Sequence, residues 1–318
     1  MSFSDVLIVG GGPAGLSAAL TLVRQRHTVK LFDIDDCRAY PSARLHGVSG
    51  SDHKAPADNL NHSRAELKPY NTYTPIAAEV TKLAQVDGGF EATDSTGKTH
   101  LGKKVILANG VESKFPDIPG YAEAWGKGIF HNLFAQAYQE DPSKVHAGVL
   151  AVDWIAMPQF TFHMSHMTSQ LAGSVTIYTH GNEELAKQIA PTLEGKPWKA
   201  DTRKIAQISL MSPDGTAVDI TFEDGSAAAA EAFLGHAPMT QVRGAFQEQL
   251  GLRMGQTPGE YETHGFFQET SVKGVYAAGD AMSMFKVWPN AIASGAQAAA
   301  GVAVKLQEEK WSLPPIFP

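Results

Sequence analysis

The sequence predicts an α/β fold of two dinucleotide-binding-type domains, the second inserted into the first. Three observations predict it. An apolar run at 5–9 (DVLIV) leads directly into a glycine turn at 10–15 and then into an apolar helical stretch. A second strand–helix–strand pattern without those glycines follows at 148–178. The chain then returns to a strand at 275–278 and to an Ala-rich helical stretch, which complete the first pattern. The length of 318 residues agrees, being about twice the usual ~150 per domain.

Each element has its own reason. Residues 5–9 are rich in β-branched side chains, which suit a pleated surface. The apolar positions of 16–24 suit a buried helix, and 28–32 (TVKLF) is a strand ending at Asp33. The stretch 36–69 is polar and irregular, but a structureless loop of that length is uncommon in a compact domain, so part of it must be helical. Alternation near 74–84, 89–93 and 104–108 predicts a small sheet that returns to the main one. Pro116 and Pro119-Gly120 punctuate the chain and mark a boundary. Beyond them come a strand at 148–152, a helix at 158–171 and strands at 174–178, 204–210 and 218–222. The first domain resumes with a strand at 275–278 and a helix at 290–308, before a proline-rich tail at 311–318 that reads as extended. The expected domains are thus 1–117 with 236–318, and an inserted 118–235.

Composition narrows the function. At 43% hydrophobic and 19% charged, the chain can fill real cores. Its net charge is −7 with no basic stripe, which argues against nucleic-acid binding. No apolar run approaches the ~18–20 residues of a membrane span. The opening MSFSDVLIVGGG has no basic region and reaches its glycines too soon for a signal peptide, so a cytoplasmic location is expected. Cys37 is the single cysteine, which excludes an intrachain disulfide, a CxxC pair and a cysteine-rich zinc site. No metal is expected.

Gly10, Gly12 and Gly15 form G-x-G-x-x-G between strand and helix, with Pro13 and Ala14 inside the loop. The first glycine permits the turn, the second lets a pyrophosphate approach the backbone, and the third lets helix and strand pack closely. The phosphate then lies at the positive end of the helix. Asp33 ends the next strand, where an acid can bond a ribose hydroxyl.

A second motif selects the dinucleotide. Residues 270–280 read TSVKGVYAAGD and resemble the T-x-x-x-x-V-Y/F-A-x-G-D motif of two-dinucleotide flavoproteins, which implies FAD contacts at Gly279 and Asp280. Asn109-Gly110 within VILANGV resembles the A-T-G stretch of the same proteins. The last helix, expected to begin near Asn290, Ala291 and Ile292, would direct its positive end at the flavin's pyrimidine edge. Lys286 and Trp288 are expected near the flavin, Lys286 to support negative charge on its reduced form and Trp288 either to contact it or simply to pack.

The length, the inserted domain and these motifs are similar to low-molecular-weight thioredoxin reductases, and more closely to the fungal dithiol oxidases of gliotoxin-type pathways. Their redox centre reads approximately W-G-x-G-I-F-H-C-x-x-C-H-G-x-E. Here 125–140 read WGKGIFHNLFAQAYQE, so Trp125, Gly126, Gly128, Ile129, Phe130 and His131 match, while Asn132 and Ala135 replace the two cysteines. Dithiol chemistry is therefore not available. Asn132 either caps a helix over 133–140 or contacts substrate. The turn that binds the nicotinamide dinucleotide in the reductases is here 152–157 (VDWIAM), without glycine and with Trp154 in the way. The strand after it ends in THGNEE, which offers Glu183-Glu184 and no arginine to a phosphate.

Twelve histidines are present, and three are candidate proton acceptors: His46, His53 and His131. The first two lie in the stretch that crosses the flavin in the resembled family. His163 and His166 share one face of a predicted helix without a third ligand. The expected protein is an FAD-dependent oxidase or dehydrogenase of a small natural-product molecule, with molecular oxygen as acceptor and neither redox cysteines nor NADPH. Dehydrogenation, cyclisation and decarboxylation all fit. The alternatives are a flavin-dependent monooxygenase and a non-redox FAD-containing cyclase or scaffold. The resemblance also implies a fungal source and a homodimer.

Overall fold

A computed structural model describes residues 2–256 and 259–316. Packing divides the chain into two compact units. The first holds the residues up to Tyr40, Pro56–Glu112 and the residues from Thr240 onward. The second holds Pro41–Ala55 and Ser113–Met239.

The first unit is built on a nine-stranded sheet. Its central strand Ser4–Val9 lies parallel between Val29–Phe32 and Thr99–Leu107. Tyr73–Ile76 and Val275–Ala277 extend the parallel part on either side. The start of Thr99–Leu107 pairs instead with the hairpin of Val80–Val86 and Gly89–Asp94. The unbroken apolar run at 5–9 has a structural cause, since the strand is covered on both faces. Val6 and Ile8 pack under the helices Pro13–Arg24 and Trp288–Trp311, against Leu16, Leu22, Ala298 and Val302. Leu7 and Val9 face the opposite way, with Phe32, Phe90, Val105 and Leu107. The two helices meet through small residues: a Cβ on Gly295 would lie 2.1 Å from the Ala14 carbonyl oxygen.

A buried charge closes the hairpin. Asp94 Oδ1 accepts the Thr96 hydroxyl at 2.6 Å and the N–H groups of Thr96 and Lys98 at 2.9 and 3.1 Å. Its Oδ2 lies 2.8 Å from Nε2 of buried His100. The Thr96 hydroxyl, then His100, hold the Asp94 carboxyl well below the usual carboxylate range. A carboxyl whose pKa falls on folding adds stability that is complete above the ordinary aspartate value of ~3.9 and is lost as pH drops toward the folded value. Asp94→Asn should therefore melt below wild type at pH 7, and the gap should narrow as pH falls from about 5 toward 2. Thermal unfolding across that range checks this, and a constant gap would overturn it.

The second unit carries a five-stranded parallel sheet in the order Trp198–Asp201, Ser174–Tyr178, His146–Leu150, Leu234–Gly235, Ile129–Phe130. A separate antiparallel sheet joins Ile205–Leu210, Val218–Phe222 and Ala229–Glu231. Helices Pro158–Ser169 and Glu183–Leu193 flank the parallel strands. The second helix was not anticipated, although its start is marked in the sequence. Asn182 Oδ1 accepts the Leu185 N–H at 2.9 Å, and Glu183 and Glu184 occupy the positive first turn.

Several expectations need correction. The stretch 41–55 was placed in the first domain but packs with the second unit. There the Gln136 amide donates to the Ser42 hydroxyl at 2.8 Å, and Gly126 leaves space that Pro41 occupies. No helix forms over 133–140. Asn132 Oδ1 accepts the Phe134 N–H at 3.1 Å and its carbonyl accepts that of Ala135 at 3.2 Å, which makes a local turn. Ala137 then adopts a left-handed φ of 65° that ends any helical path. The last helix begins at Trp288 with Pro289 in its first turn, and runs through Trp311 into the stretch expected to be extended. Residues 317–318 of that tail lie outside the described residues. Among the described residues, no helix is long and apolar enough to cross a membrane.

Candidate active site

The glycine turn of the first unit is shaped by two steric limits. Gly10 has φ +107°, and a Cβ there would lie 2.2 Å from the Ala108 carbonyl oxygen. A Cβ on Gly15 would lie 1.9 Å from the Gly10 carbonyl oxygen. Gly12 differs, because nothing lies within 4 Å of where its Cβ would be. The helix that follows has Pro13 and Ala14 in its first turn, with no side-chain cap and no acid there. Its first N–H groups have no intrahelical acceptor, and open space adjoins Gly12, which fits a pyrophosphate. Asp33 stands over the turn, with its carboxyl group where a Cβ of Gly11 would be. That makes Gly11 a requirement the spacing motif does not contain. Asp33 Oδ2 also accepts the Arg64 Nε–H at 3.0 Å, and Oδ1 accepts the Asp35 N–H at 2.9 Å. Two carboxylate oxygens can accept further bonds, so a ribose hydroxyl remains compatible with this pairing.

The second motif ends beside the glycine turn, where a Cβ on Gly279 would lie 2.9 Å from Ala14 Cβ. Thr270 donates its hydroxyl to the Val275 carbonyl at 2.9 Å and so closes the turn before Val275–Ala277. Gly279, at φ +72°, donates its N–H to the Ser294 hydroxyl at 2.9 Å. Asp280 follows, with its Oδ2 3.5 Å from Arg38 Nη1. Asn109, beside Gly110, donates its amide to the Arg243 carbonyl and to the Tyr261 hydroxyl. Its Oδ1 is buried without a partner among the described residues, an acceptor that a cofactor N–H or O–H would satisfy.

Two of the residues expected at the cofactor have partners within the chain. The Lys286 ammonium is turned away into a buried pair with Glu260 at 2.6 Å and also donates to the Asp280 and Ser283 carbonyls. An ammonium has three donors, and all three are committed. Lys286 thus braces the loop after Asp280. At the last helix, the Ala291 N–H is already donated to the Val287 carbonyl at 3.0 Å. The positive end is therefore offered by the turn at Trp288, ahead of Ala291 and Ile292. Asn290 donates its side-chain amide to the Phe285 carbonyl at 2.9 Å, and Trp288 packs against the helical core.

In the second unit, Asp153–Ala156 form a short 3-10 turn where a glycine loop would otherwise sit. The Trp154 indole donates to the Ala237 carbonyl at 2.6 Å and meets Phe160 edge-on with ring centroids 4.7 Å apart. After Ser174–Tyr178, His180 Nδ1 accepts the Ile205 N–H at 3.0 Å. The turn is filled by the chain's own side chains. His163 and His166 are both exposed on their helix.

The loop 41–55 brings His46 and His53 together around Asp52. His46 Nδ1 is 3.4 Å from Asp52 Oδ1, and His53 Nε2 is 3.1 Å from Asp52 Oδ2. His131 follows the strand Ile129–Phe130 and stacks on Trp125 at 5.4 Å. Asn132 and Ala135 occupy the turn described above. Asp52 was the missed partner, and its adjacency to His53 was the available signal. Arg64, Arg38 and Glu260 had none, since each pairs with a residue far away in the chain.

Cys37 is half-buried against the helical core of the first unit, and burial pushes its thiol up, away from the reactive thiolate. Cys37→Ser should keep both its FAD and its rate of flavin reduction within about twofold, as no second thiol exists to pair with it. Loss of reduction with FAD still bound would show that the thiol takes part.

A phosphate cradle at a helix N-terminus, a second strand-end motif and a separate nucleotide-type unit define a flavin-dependent oxidoreductase. The chain belongs to the pyridine nucleotide-disulphide oxidoreductase family, whose model matches residues 4–295. A thioredoxin reductase of Aspergillus oryzae, aclD, is 40% identical over 306 residues, covering 95% of this chain and 96% of its own length. The thioredoxin reductase tcpT of Claviceps purpurea is 37% identical over 320 residues, covering 99% and 98%. Among solved structures, that of HlmI superposes with a TM-score of 0.86 at 26% identity, covering 98% of this chain and 94% of the other. Putative thioredoxin reductase TrxB of Bacillus anthracis, with TM-score 0.88 at 24% identity over 97% and 100%, matches in fold. FAD is the cofactor, and the chain is an FAD-dependent oxidoreductase similar to fungal thioredoxin-reductase-like enzymes.

Proposed function

We propose that this protein is an FAD-dependent oxidase of a small natural-product molecule, with molecular oxygen as the electron acceptor. The observation that carries the reading is that Asn132 and Ala135 stand where the family has its two cysteines. Without a thiol pair the chain cannot pass electrons to or from a disulfide, so the substrate itself must be the donor. The aromatic filling of the turn at Trp154 supports the same reading, since it leaves little room for a nicotinamide dinucleotide.

Bound FAD supplies a two-electron acceptor that oxygen can regenerate. The chain's residues do the rest. The uncapped helix start at Pro13 holds the pyrophosphate, and the Lys286–Glu260 pair fixes the loop that carries Asp280. An imidazole of His46, His53 or His131 accepts the proton that leaves as the substrate is oxidised. Asp52 orients His46 and His53 for that task by receiving a ring N–H. The substrate loses two electrons and two protons, and oxygen takes up both as hydrogen peroxide. The protein acts as a cytosolic homodimer in this reading.

The test is anaerobic mixing of the yellow protein with intermediates made by the products of neighbouring genes. One of them should bleach the flavin, and air should then restore the colour with about one peroxide per substrate consumed. Incorporation of labelled oxygen into product would replace this reading with a monooxygenase. Turnover without any bleaching would replace it with a non-redox cyclase.

A further inference from the structure

We propose that His46, Asp52 and His53 form a binding site for one divalent transition-metal ion of the zinc class. The three ligand atoms all lie within 4.8 Å of one another. Zinc bonds to imidazole nitrogen and carboxylate oxygen are about 2.0–2.2 Å, so neighbouring ligands around a tetrahedral ion are about 3.4 Å apart. The observed separations are 3.4 Å from His46 Nδ1 to Asp52 Oδ1 and 3.1 Å from His53 Nε2 to Asp52 Oδ2, so each imidazole faces one oxygen of the carboxylate. The two imidazoles meet edge to face at 84°, with centroids 4.9 Å apart. Two imidazoles and one carboxylate with an open outer side form a common divalent-metal ligand set, completed by water.

The backbone holds this arrangement without help from a ligand. Leu45 donates its N–H to the Lys54 carbonyl at 2.8 Å and accepts that of His53 at 2.9 Å. Ser51 closes the turn onto Val48. Leu45 and Val48 are buried beneath it. The Gly47 N–H is donated to Asp52 Oδ1 at 3.0 Å, and Arg44 donates to the His53 carbonyl at 3.1 Å. His53 sits at φ +64°, a strained setting for a residue other than glycine. Other histidine–acid contacts, such as His62 with Glu66 and His264 with Glu262, pair one imidazole with one acid. They serve as internal controls for ordinary surface attraction of zinc.

Zinc uptake is measured without substrate and so is separable from the oxidase reading; with zinc bound to His46 and His53, the proton acceptor of that reading is His131. Full-length FAD-loaded protein is stripped with chelator, dialysed and titrated with zinc chloride by calorimetry, and its metal content is then measured. The expected result is saturable uptake of one zinc per chain. Asp52→Asn and His53→Gln should each weaken it at least about tenfold, and His62→Gln should leave it unchanged. Far-UV circular dichroism and flavin absorbance report whether each variant is folded. If Asp52→Asn is not, the exposed His53→Gln change decides the matter. Absence of saturable uptake, or uptake that the trio variants leave unchanged, would overturn the proposal.

Discussion

Replacing the proton-accepting histidine by alanine should slow flavin reduction by substrate ~10²–10⁴-fold, roughly 3–5 kcal/mol of barrier, with FAD still bound. The candidates are His46→Ala, His53→Ala and His131→Ala. A positioned base is worth this much because it removes the proton as the electrons leave. Asp52 touches both His46 and His53, so Asp52→Asn should slow the same step while reoxidation by oxygen changes little. Stopped-flow reduction of each variant separates the possibilities. If all three alanine variants stay within about threefold of wild type, the base lies elsewhere or no proton transfer limits the step.

NADPH should reduce the bound flavin more slowly than about 10⁻² s⁻¹, some three orders below the ~10 s⁻¹ median enzyme turnover. The physical grounds are local to the second unit. The indole of Trp154 is tied to the Ala237 carbonyl and wedged against Phe160, in the turn where a pyrophosphate would need bare backbone. The following strand leads into Glu183 and Glu184 at a helix start, so the positive end of that helix is already complemented by acids. Trp154→Gly alone should not restore reduction, because it supplies no cation for the phosphate. Rapid mixing with millimolar NADPH checks the prediction, and bleaching within seconds would show that a nicotinamide site survives.

Much of the fold was legible because its signals are short. The run 5–9, the glycines at 10, 12 and 15 and the strand at 174–178 all carry their pattern within a few residues. The helix at 133–140 failed for a comparable reason. Asn132 marks a helix start and an Asx turn equally well, and only the left-handed Ala137 separates the two. The Lys286–Glu260 pair was not legible because Glu260 lies 26 residues earlier, where nothing in either neighbourhood announces it. The stretch 41–55 was assigned by its place in the chain, whereas its packing against Gly126 and Gln136 is a long-range matter.

By itself the sequence determined the two nucleotide-type α/β patterns, the FAD cradle and the lack of a thiol pair. Each depends on backbone geometry or residue identity that a few neighbours settle. Only the tertiary structure decided that Asp52 gathers His46 and His53, that Arg64 engages Asp33, that Lys286 is spent on Glu260 and that Trp154 closes its turn onto Ala237. Apart from the loop 41–55, these partnerships join groups far apart along the chain. Their distances follow from how strands and helices pack, and one-dimensional spacing does not encode them.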